Sequence, residues 1–117
     1  MRLQLKRVYE PADSSDGFRV LVDRLWPRGV SKERAAIDLW AKDVTPTAAL
    51  RSAWHAASAD EWDDFAAQYR RQLEHESAGA VAELRTEMAQ HDTVTLVYAA
   101  HDEVRNHARV LAEVLTG

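Results

Sequence analysis

Two segments of the chain combine side chains that can bind an anion with side chains that can move a proton. The first, "DRLWPRG", contains Arg24 and Arg28, and Lys32 follows it closely. The second, "YAAHDEVRNH", contains Asp102 and His107. Guanidinium groups are forked donors that suit phosphate and carboxylate, and a histidine exchanges a proton near neutral pH. These residue types therefore indicate an anion-binding pocket with His107 as a general acid or base.

Several neighbouring residues could complete such a pocket. Tyr98 and Asp102 are the candidates for orienting the imidazole of His107. Asn106 and Trp26 are further candidates for contacting the ligand. The amide hydrogens that we expect to open the last helix would also favour an anion.

Another interpretation is that the positive charges are paired within the chain. Arg24 could pair with Asp102, and Arg28 could pair with Asp38. Such pairs contribute little stability where they are exposed and would leave no room for a ligand. Under this alternative the cluster is structural, and the function lies in an interface elsewhere.

The tryptophans leave a third interpretation open. Trp26 and Trp40 flank the basic segment and could form with it a surface for nucleic acid or protein. Trp54 and Trp62 are expected to be core residues, because Trp62 falls on the apolar stripe of a predicted helix. Packing or a pocket wall is the simpler role for the first pair as well.

No metal or cofactor is expected. The chain has no cysteine, which excludes disulfides and thiolate ligands. His101 and His107 are six positions apart and do not share a helix face as a metal-binding pair would. The other histidines are expected on the surface at helix ends: His55, His75 and His91. No glycine-rich phosphate loop is present either.

Length and charge bound the remaining possibilities. The 117 residues fit a single domain, 1–117, with a net charge of −4. Residues 1–45 contain nine Lys and Arg and seven Asp and Glu. Residues 46–92 contain four Lys and Arg and nine Asp and Glu. Nucleic-acid binding is possible but not favoured, because nonspecific binding needs a broad basic face. No apolar run approaches the ~20 residues of a membrane helix, and we expect a soluble cytoplasmic protein whose oligomeric state stays open.

The positions of these residues depend on three predicted strands. Residues 3–8 alternate apolar and polar, which indicates a half-buried strand. Residues 18–25 include three consecutive apolar residues, Val20 to Val22, which favour a central strand buried on both faces. Residues 93–99 are β-branched and mostly apolar. The pattern predicts a small Rossmann-like α/β domain with a mostly parallel sheet of about three strands.

Several helices are predicted to pack on this sheet. Ser31 is expected to cap a short helix, and Thr45 or Thr47 a longer one. The strongest helix signal begins with the capping-box pair Ser58 and Glu61. A last helix is expected to bury a stripe that includes Val104. Ligands of open α/β sheets bind beyond the carboxyl ends of the strands, where both polar segments lie.

Four stretches of the sequence resemble a known family: "KRVYEP", "DGFRVLVDRLWPRGVSKE", "DLWAKDVTP" and "LVYAAHDEVRNHARVL". They are similar to the domain-of-unknown-function family 488, in its short, YeaO-like branch, and the resemblance covers nearly the whole chain. It implies a compact Rossmann-like α/β domain and brings no established activity.

The resemblance also bears on the candidate site. Longer relatives carry a Cys-Ala-Glu and then a Cys-His-Arg after the last strand, where this chain reads Tyr98-Ala99-Ala100 and Asn106-His107-Ala108. Both cysteines are absent here, so thiol chemistry of those relatives is not available to this chain. The histidine is retained, which strengthens the case for His107.

Overall fold

The computed structural model describes residues 1–117, and a sheet of four parallel strands lies at its centre. Across the sheet the strands are β1 (Arg2–Arg7), β4 (Thr93–Tyr98), β2 (Phe18–Leu21) and β3 (Leu39–Trp40). The predicted α/β class and the parallel pairing of the second and third predicted strands are confirmed. The sequence did not reveal β3, because two residues are too few to show an alternating pattern.

The two central strands have the burial that their composition predicts. Val20, Leu21 and Val22 are completely buried, so β2 and the residue after it are covered on both faces. In β4, the side chains of Val94 and Leu96 join the main core, whereas Val97 packs on the opposite face. This is the two-residue period of a pleated strand. Strand β2 ends at Leu21, earlier than the predicted residue 25.

Five α-helices surround the sheet: α1 (Lys32–Ala35), α2 (Ala48–Ala56), α3 (Trp62–Glu74), α4 (Ala78–Met88) and α5 (His107–Thr116). Short 3-10 turns lie at Ser14–Asp16, Lys42–Val44 and Ala59–Glu61. The caps predicted at Ser31 and Thr47 are present, as is the capping box of Ser58 and Glu61. None of the helices is long and apolar enough to span a membrane.

The main core lies between one face of the sheet and helices α3, α4 and α5. Its largest buried side chains include Tyr69, Leu73, Met88, Leu96 and Leu111. The opposite face is covered by a thinner layer, in which a four-residue cluster packs under the loop before α1. The thick helical layer therefore supports the sheet from one side and leaves its carboxyl edge accessible.

A buried ionic cluster holds the thin layer to the sheet. Arg19 in β2 is 3% exposed, and its guanidinium contacts Asp16 at 2.6 Å. It also donates to the carbonyl oxygen of Ala35 at the end of α1. Lys6 in β1 lies 3.2 Å from the carboxylate of Asp16. The carboxylate of Asp16 thus contacts both β1 and β2. Through Arg19 it is also linked to α1, a helix of a single turn.

The last helix begins later than its sequence indicates. Val104, expected on the buried stripe, is 73% exposed and precedes α5. The reason lies in two polar side chains: Asp102 accepts the amide hydrogens of Val104 and Arg105, and Asn106 then caps the helix. Local side-chain bonds of this kind compete with helix formation.

Candidate functional site

The basic segment, Asp23–Arg28, leaves the sheet at the end of β2 and turns back toward it. The indole nitrogen of Trp26 donates to the carbonyl oxygen of Val30 at 2.7 Å, and its ring packs edge-on against Trp40. Gly29 lies in this turn with a φ of 77°, a conformation that glycine adopts without steric penalty. These contacts fix the backbone that carries the two arginines.

The β4–α5 loop, Ala99–Asn106, faces the basic segment because β4 and β2 are parallel neighbours. The amide of Ala99 donates to Oδ2 of Asp23 at 2.9 Å, which joins the loop to the basic segment. On its other side, Arg7 at the end of β1 donates from Nε to the carbonyl oxygen of Ala100 at 2.8 Å. The loop is therefore held from both neighbouring strands.

Asp102 and Asn106 shape the second half of this loop. The Oδ1 atom of Asp102 accepts the amide hydrogens of Val104 at 2.9 Å and Arg105 at 2.8 Å. These bonds, that from Arg105 above all, hold the pKa of Asp102 below its usual value. Asn106 donates from Nδ2 to the carbonyl oxygen of Asp102 and accepts the amide hydrogen of Arg109. Both side chains are therefore hydrogen-bonded to backbone groups of the loop and of α5.

A cleft of about 630 Å³ lies where the carboxyl ends of β2 and β4 meet. Its walls are the basic segment, the β4–α5 loop, the second half of α2 and the residues that lead into α3. This volume falls within the range of about 300–1,000 Å³ in which proteins bind small molecules. The position agrees with the general rule for ligand sites in open parallel sheets.

The cleft carries an excess of positive charge. Four arginines line it: Arg24, Arg28, Arg51 and Arg105. Asp23 and Asp102 are its only carboxylates. None of the four guanidinium groups has a carboxylate oxygen within 4.0 Å, and none makes a side-chain hydrogen bond within the chain. Four donors of charge-assisted hydrogen bonds are therefore free to meet an anion.

The internal ion pairs considered from the sequence are absent. Arg24 makes no pair with Asp102, whose carboxylate is occupied by backbone amides. Arg28 makes none with Asp38, which instead accepts the amide hydrogen of Arg19. The structure keeps both arginine side chains exposed.

His107, the first residue of α5, is held by one of its ring nitrogens. Nε2 lies 2.7 Å from the carbonyl oxygen of Val22. Because a carbonyl only accepts, Nε2 carries a proton. Oδ1 of Asp23 lies 3.2 Å from the same nitrogen and is buried without a hydrogen bond of its own. The ring also packs edge-on against Tyr69. Nδ1 makes no hydrogen bond within the chain.

The partner of His107 is thus a correction to the sequence interpretation. Asp102 and Tyr98 were the candidates for orienting the imidazole, but neither contacts it. Asp102 points to its own loop, and Tyr98 is buried in the main core. The ring of His107 is held by the carbonyl oxygen of Val22, and Asp23, which follows β2 directly, lies beside the same nitrogen.

His55, near the end of α2, also lines the cleft. Burial lowers its pKa, and the charges of Arg51 and His107 lower it further, while Asp23 acts in the opposite direction. Burial and the neighbouring positive charges therefore oppose protonation of His55. Although three histidines line it, no group of three or more His, Asp or Glu side chains is placed to hold a metal ion.

Part of the cleft wall is aromatic. Trp54 and Trp62 both line it, with 4.9 Å between their ring centroids. Both are only partly buried, so the expectation that they are core residues is wrong in part. Trp54 packs on Phe65 and Tyr69 on its inner side. Its indole nitrogen is buried and has no hydrogen-bond partner.

Six candidate site residues line the cleft: Arg24, Trp26, Arg28, Asp102, Asn106 and His107. Lys32 and Tyr98 do not. Lys32 begins α1 beyond the turn at Gly29, and its side chain is exposed. Tyr98 ends β4 with its side chain in the main core, where burial raises its pKa.

Helix α2 and the start of α3 contribute to the cleft, which the sequence did not reveal. Arg51, Trp54 and His55 all come from α2. Arg51 and His55 are four positions apart and therefore share a helix face, which was a usable signal. Nothing in the sequence, however, placed that face against the strand ends, because the loops around α2 set its position.

Comparisons with known proteins agree with the resemblance. The family model described as "Inactive DUF488-N3 subclade" matches residues 2–117. "Uncharacterized protein YeaO" of Escherichia coli (strain K12) is 45% identical over 116 residues, which cover 98% of this chain and 97% of that protein. "Uncharacterized protein Rv3073c" of Mycobacterium tuberculosis (strain ATCC 25618 / H37Rv) is 44% identical and covers 99% and 95%.

No solved structure matches the chain. The family match extends over nearly every residue, including the whole cleft, and the relatives align from end to end. The chain therefore belongs to the DUF488 family.

Proposed function

We propose that this protein binds a small phosphate- or carboxylate-bearing ligand in the cleft and does so without turning it over. The observation that carries the proposal is the set of four cleft arginines that have no carboxylate partner. A protein with a net charge of −4 has many acidic groups that could neutralise them. None of those groups forms an ion pair with the four cleft arginines.

The arrangement suits an anion for a physical reason. Each guanidinium presents several N–H donors in a fixed plane and can bind two oxygens of a phosphate or carboxylate at once. Arg24 and Arg28 come from the basic segment, Arg51 comes from α2, and Arg105 from the β4–α5 loop. An anion held by groups from three elements would be enclosed rather than bound at a flat surface.

His107 would contact the same ligand through Nδ1. Its other nitrogen is fixed by Val22 and accompanied by Asp23, so the ring has little freedom to turn. A neutral ring offers Nδ1 as an acceptor for a ligand hydroxyl or amine, and a protonated ring offers it as a donor to an oxyanion. Asp23 is a positioning residue in this scheme.

Binding is favoured over catalysis by two observations. The description of the matching family model names an inactive subclade. The chain also has no cysteine, which leaves the thiol positions of longer relatives without a nucleophile. A nucleic-acid surface around Trp26 and Trp40 has less support, because both indole nitrogens donate to backbone carbonyls and both rings are partly buried.

A thermal-shift series tests the proposal. Phosphate, sulfate and citrate should raise the Tm of the wild-type protein in a concentration-dependent way. Arg24→Ala should abolish most of this shift while changing the unfolding free energy by less than about 0.5 kcal/mol, since Arg24 is exposed and unpaired. Arg71→Ala, which removes an exposed arginine of α3, is the matched control and should keep the shift.

Two results would contradict the proposal. One is an equal anion-induced shift in wild type and in Arg24→Ala, which would place the effect outside the cleft. The other is a large loss of stability in Arg24→Ala without ligand, which is the behaviour of a structural ion pair rather than of a binding group.

A further inference from the structure

The cleft is larger and more aromatic than an inorganic anion requires. Trp54 and Trp62 form one wall, together with Pro46 and the small side chains of Ala57 and Ala59. Tryptophan and proline surfaces are suited to the face of a planar ring. The four arginines, called the basic rim from here on, and this aromatic wall line the same cleft.

Helix α2 brings the two kinds of surface together within one turn. Arg51, Trp54 and His55 occupy positions i, i+3 and i+4, which lie on one face of a helix. All three line the cleft. A ligand that lies along this face would meet a cation and an aromatic ring a few ångströms apart.

The aromatic wall also contains an unused donor. The indole N–H of Trp54 is buried, and it has no acceptor in the chain. Buried donors are nearly always paired in native proteins, and leaving one unpaired is costly. Because this nitrogen is closed to solvent, a ligand in the cleft would meet the rings of Trp54 and Trp62 rather than this N–H.

We propose that the ligand is a nucleoside monophosphate, with its base against the wall of Trp54 and Trp62 and its phosphate among the arginines of the rim. This inference rests on the proposed anion-binding function and specifies the ligand of the same cleft. Base stacking explains the aromatic wall, and phosphate binding explains the unpaired arginines. A non-aromatic sugar phosphate would use the rim alone.

Quenching of intrinsic tryptophan fluorescence measures the binding, since three of the four tryptophans line the cleft. The four common ribonucleoside monophosphates are titrated into wild-type protein beside ribose 5-phosphate, inorganic phosphate and adenosine. At least one nucleotide should bind more tightly than ribose 5-phosphate by about 5- to 150-fold, the range that stacking of one base provides. Added inorganic phosphate should compete with the bound nucleotide and displace it.

The variants separate the wall from the rim. Trp62→Leu should reduce nucleotide affinity by at least about fivefold and leave phosphate affinity unchanged. Phe18→Leu is the matched control, because Phe18 is a partly buried aromatic residue that stacks on His91 and does not line the cleft. The ligand series on wild-type protein remains decisive if Trp62→Leu does not fold.

The outcomes distinguish this inference from the proposed function. Equal affinities for phosphate, ribose 5-phosphate and the nucleotides would overturn the nucleotide inference while supporting the anion site. Failure of every phosphate compound to bind would overturn the nucleotide inference, and failure of sulfate and citrate as well would overturn the proposed function. Tighter binding of a five-nucleotide RNA than of any monophosphate would overturn the inference in favour of single-stranded nucleic acid.

Discussion

At the scale of single residues, Asp23 is the group on which the site depends. One carboxylate oxygen accepts the amide hydrogen of Ala99, and the other lies 3.2 Å from Nε2 of His107. Asp23 therefore sets both the position of the β4–α5 loop and the surroundings of the imidazole. In the sequence Asp23 is one of the polar residues that follow the second strand, but Asp102 lies closer to His107 along the chain and is a candidate for orienting the imidazole.

Replacing Asp23 should reduce the stability of the protein and the order of the β4–α5 loop. In Asp23→Asn, one amide oxygen can still accept from Ala99, but the –NH₂ group would face the N–H of His107. Two donors then meet, and we expect a loss of about 1–3 kcal/mol in the unfolding free energy. Urea denaturation measures it, with Asp92→Asn as a control at an exposed position. An unchanged unfolding midpoint would show that the carboxylate of Asp23 contributes no stability beside His107.

His55 should report whether the cleft is occupied. In the empty protein its pKa lies below the ordinary 6.5, because of burial and because of the charges of Arg51 and His107. A bound phosphate adds negative charge, which favours the protonated ring and should raise this pKa. Proton NMR titration of the His55 ring with and without phosphate measures both values. A pKa that phosphate does not move would place the anion away from α2.

The same pKa has a consequence for stability. A histidine whose folded-state pKa is lowered binds protons less readily than it does in the unfolded chain. Its contribution is therefore neutral above pH 6.5 and becomes destabilising as the pH falls through 6.5 toward the folded-state pKa. Ligand binding, which reverses the shift, should protect the protein in this window.

At the scale of elements, the sheet is held together by the buried cluster of Lys6, Asp16 and Arg19 rather than by apolar contacts alone. Although burial acts to raise the pKa of Asp16, hydrogen bonds from the amide of Asp13, Lys6 and Arg19 hold it below its usual value. The carboxylate therefore remains charged while it is 4% exposed. It links β1, β2 and the turn at Ser14–Asp16.

Asp16→Asn should destabilise the fold by about 3–5 kcal/mol, because it leaves the guanidinium of Arg19 buried without its counter-charge. The stabilisation by Asp16 is fully present above pH 3.8 and is lost as the pH falls through its lowered folded-state pKa. The variant should thus show a flatter loss of stability in acid than wild type. Urea midpoints between pH 3 and 7 test this; parallel curves would contradict it.

The elements also show what the sequence could predict. Period and composition identified β1, β2, β4 and the long helices, because each buries enough residues to show a pattern. Parallel order then predicted that the basic segment and the β4–α5 loop would meet, which the structure confirms. The placement of α2 could not be predicted, since it follows from loops with no period. The unused indole nitrogen of Trp54 also follows from packing rather than from sequence.

At the scale of the whole molecule, the protein separates its charges. The net charge is −4, yet the carboxyl edge of the sheet has a cleft with four arginines and two aspartates. A net negative charge disfavours large polyanions, whereas the local surplus of positive charge in the cleft attracts a small anion. Salt screens the attraction between the cleft arginines and an anion, so the proposed affinity should fall as ionic strength rises.

The most direct test is a phosphate titration of isotope-labelled protein at low ionic strength. Backbone amide NMR spectra recorded at each phosphate concentration monitor the binding. Binding in the cleft predicts saturable shifts in the basic segment, the second half of α2 and the β4–α5 loop, with little change along α4. The account would be contradicted if those amides did not respond to millimolar phosphate, or if the shifts clustered on another surface, such as that around Arg70 and Arg71.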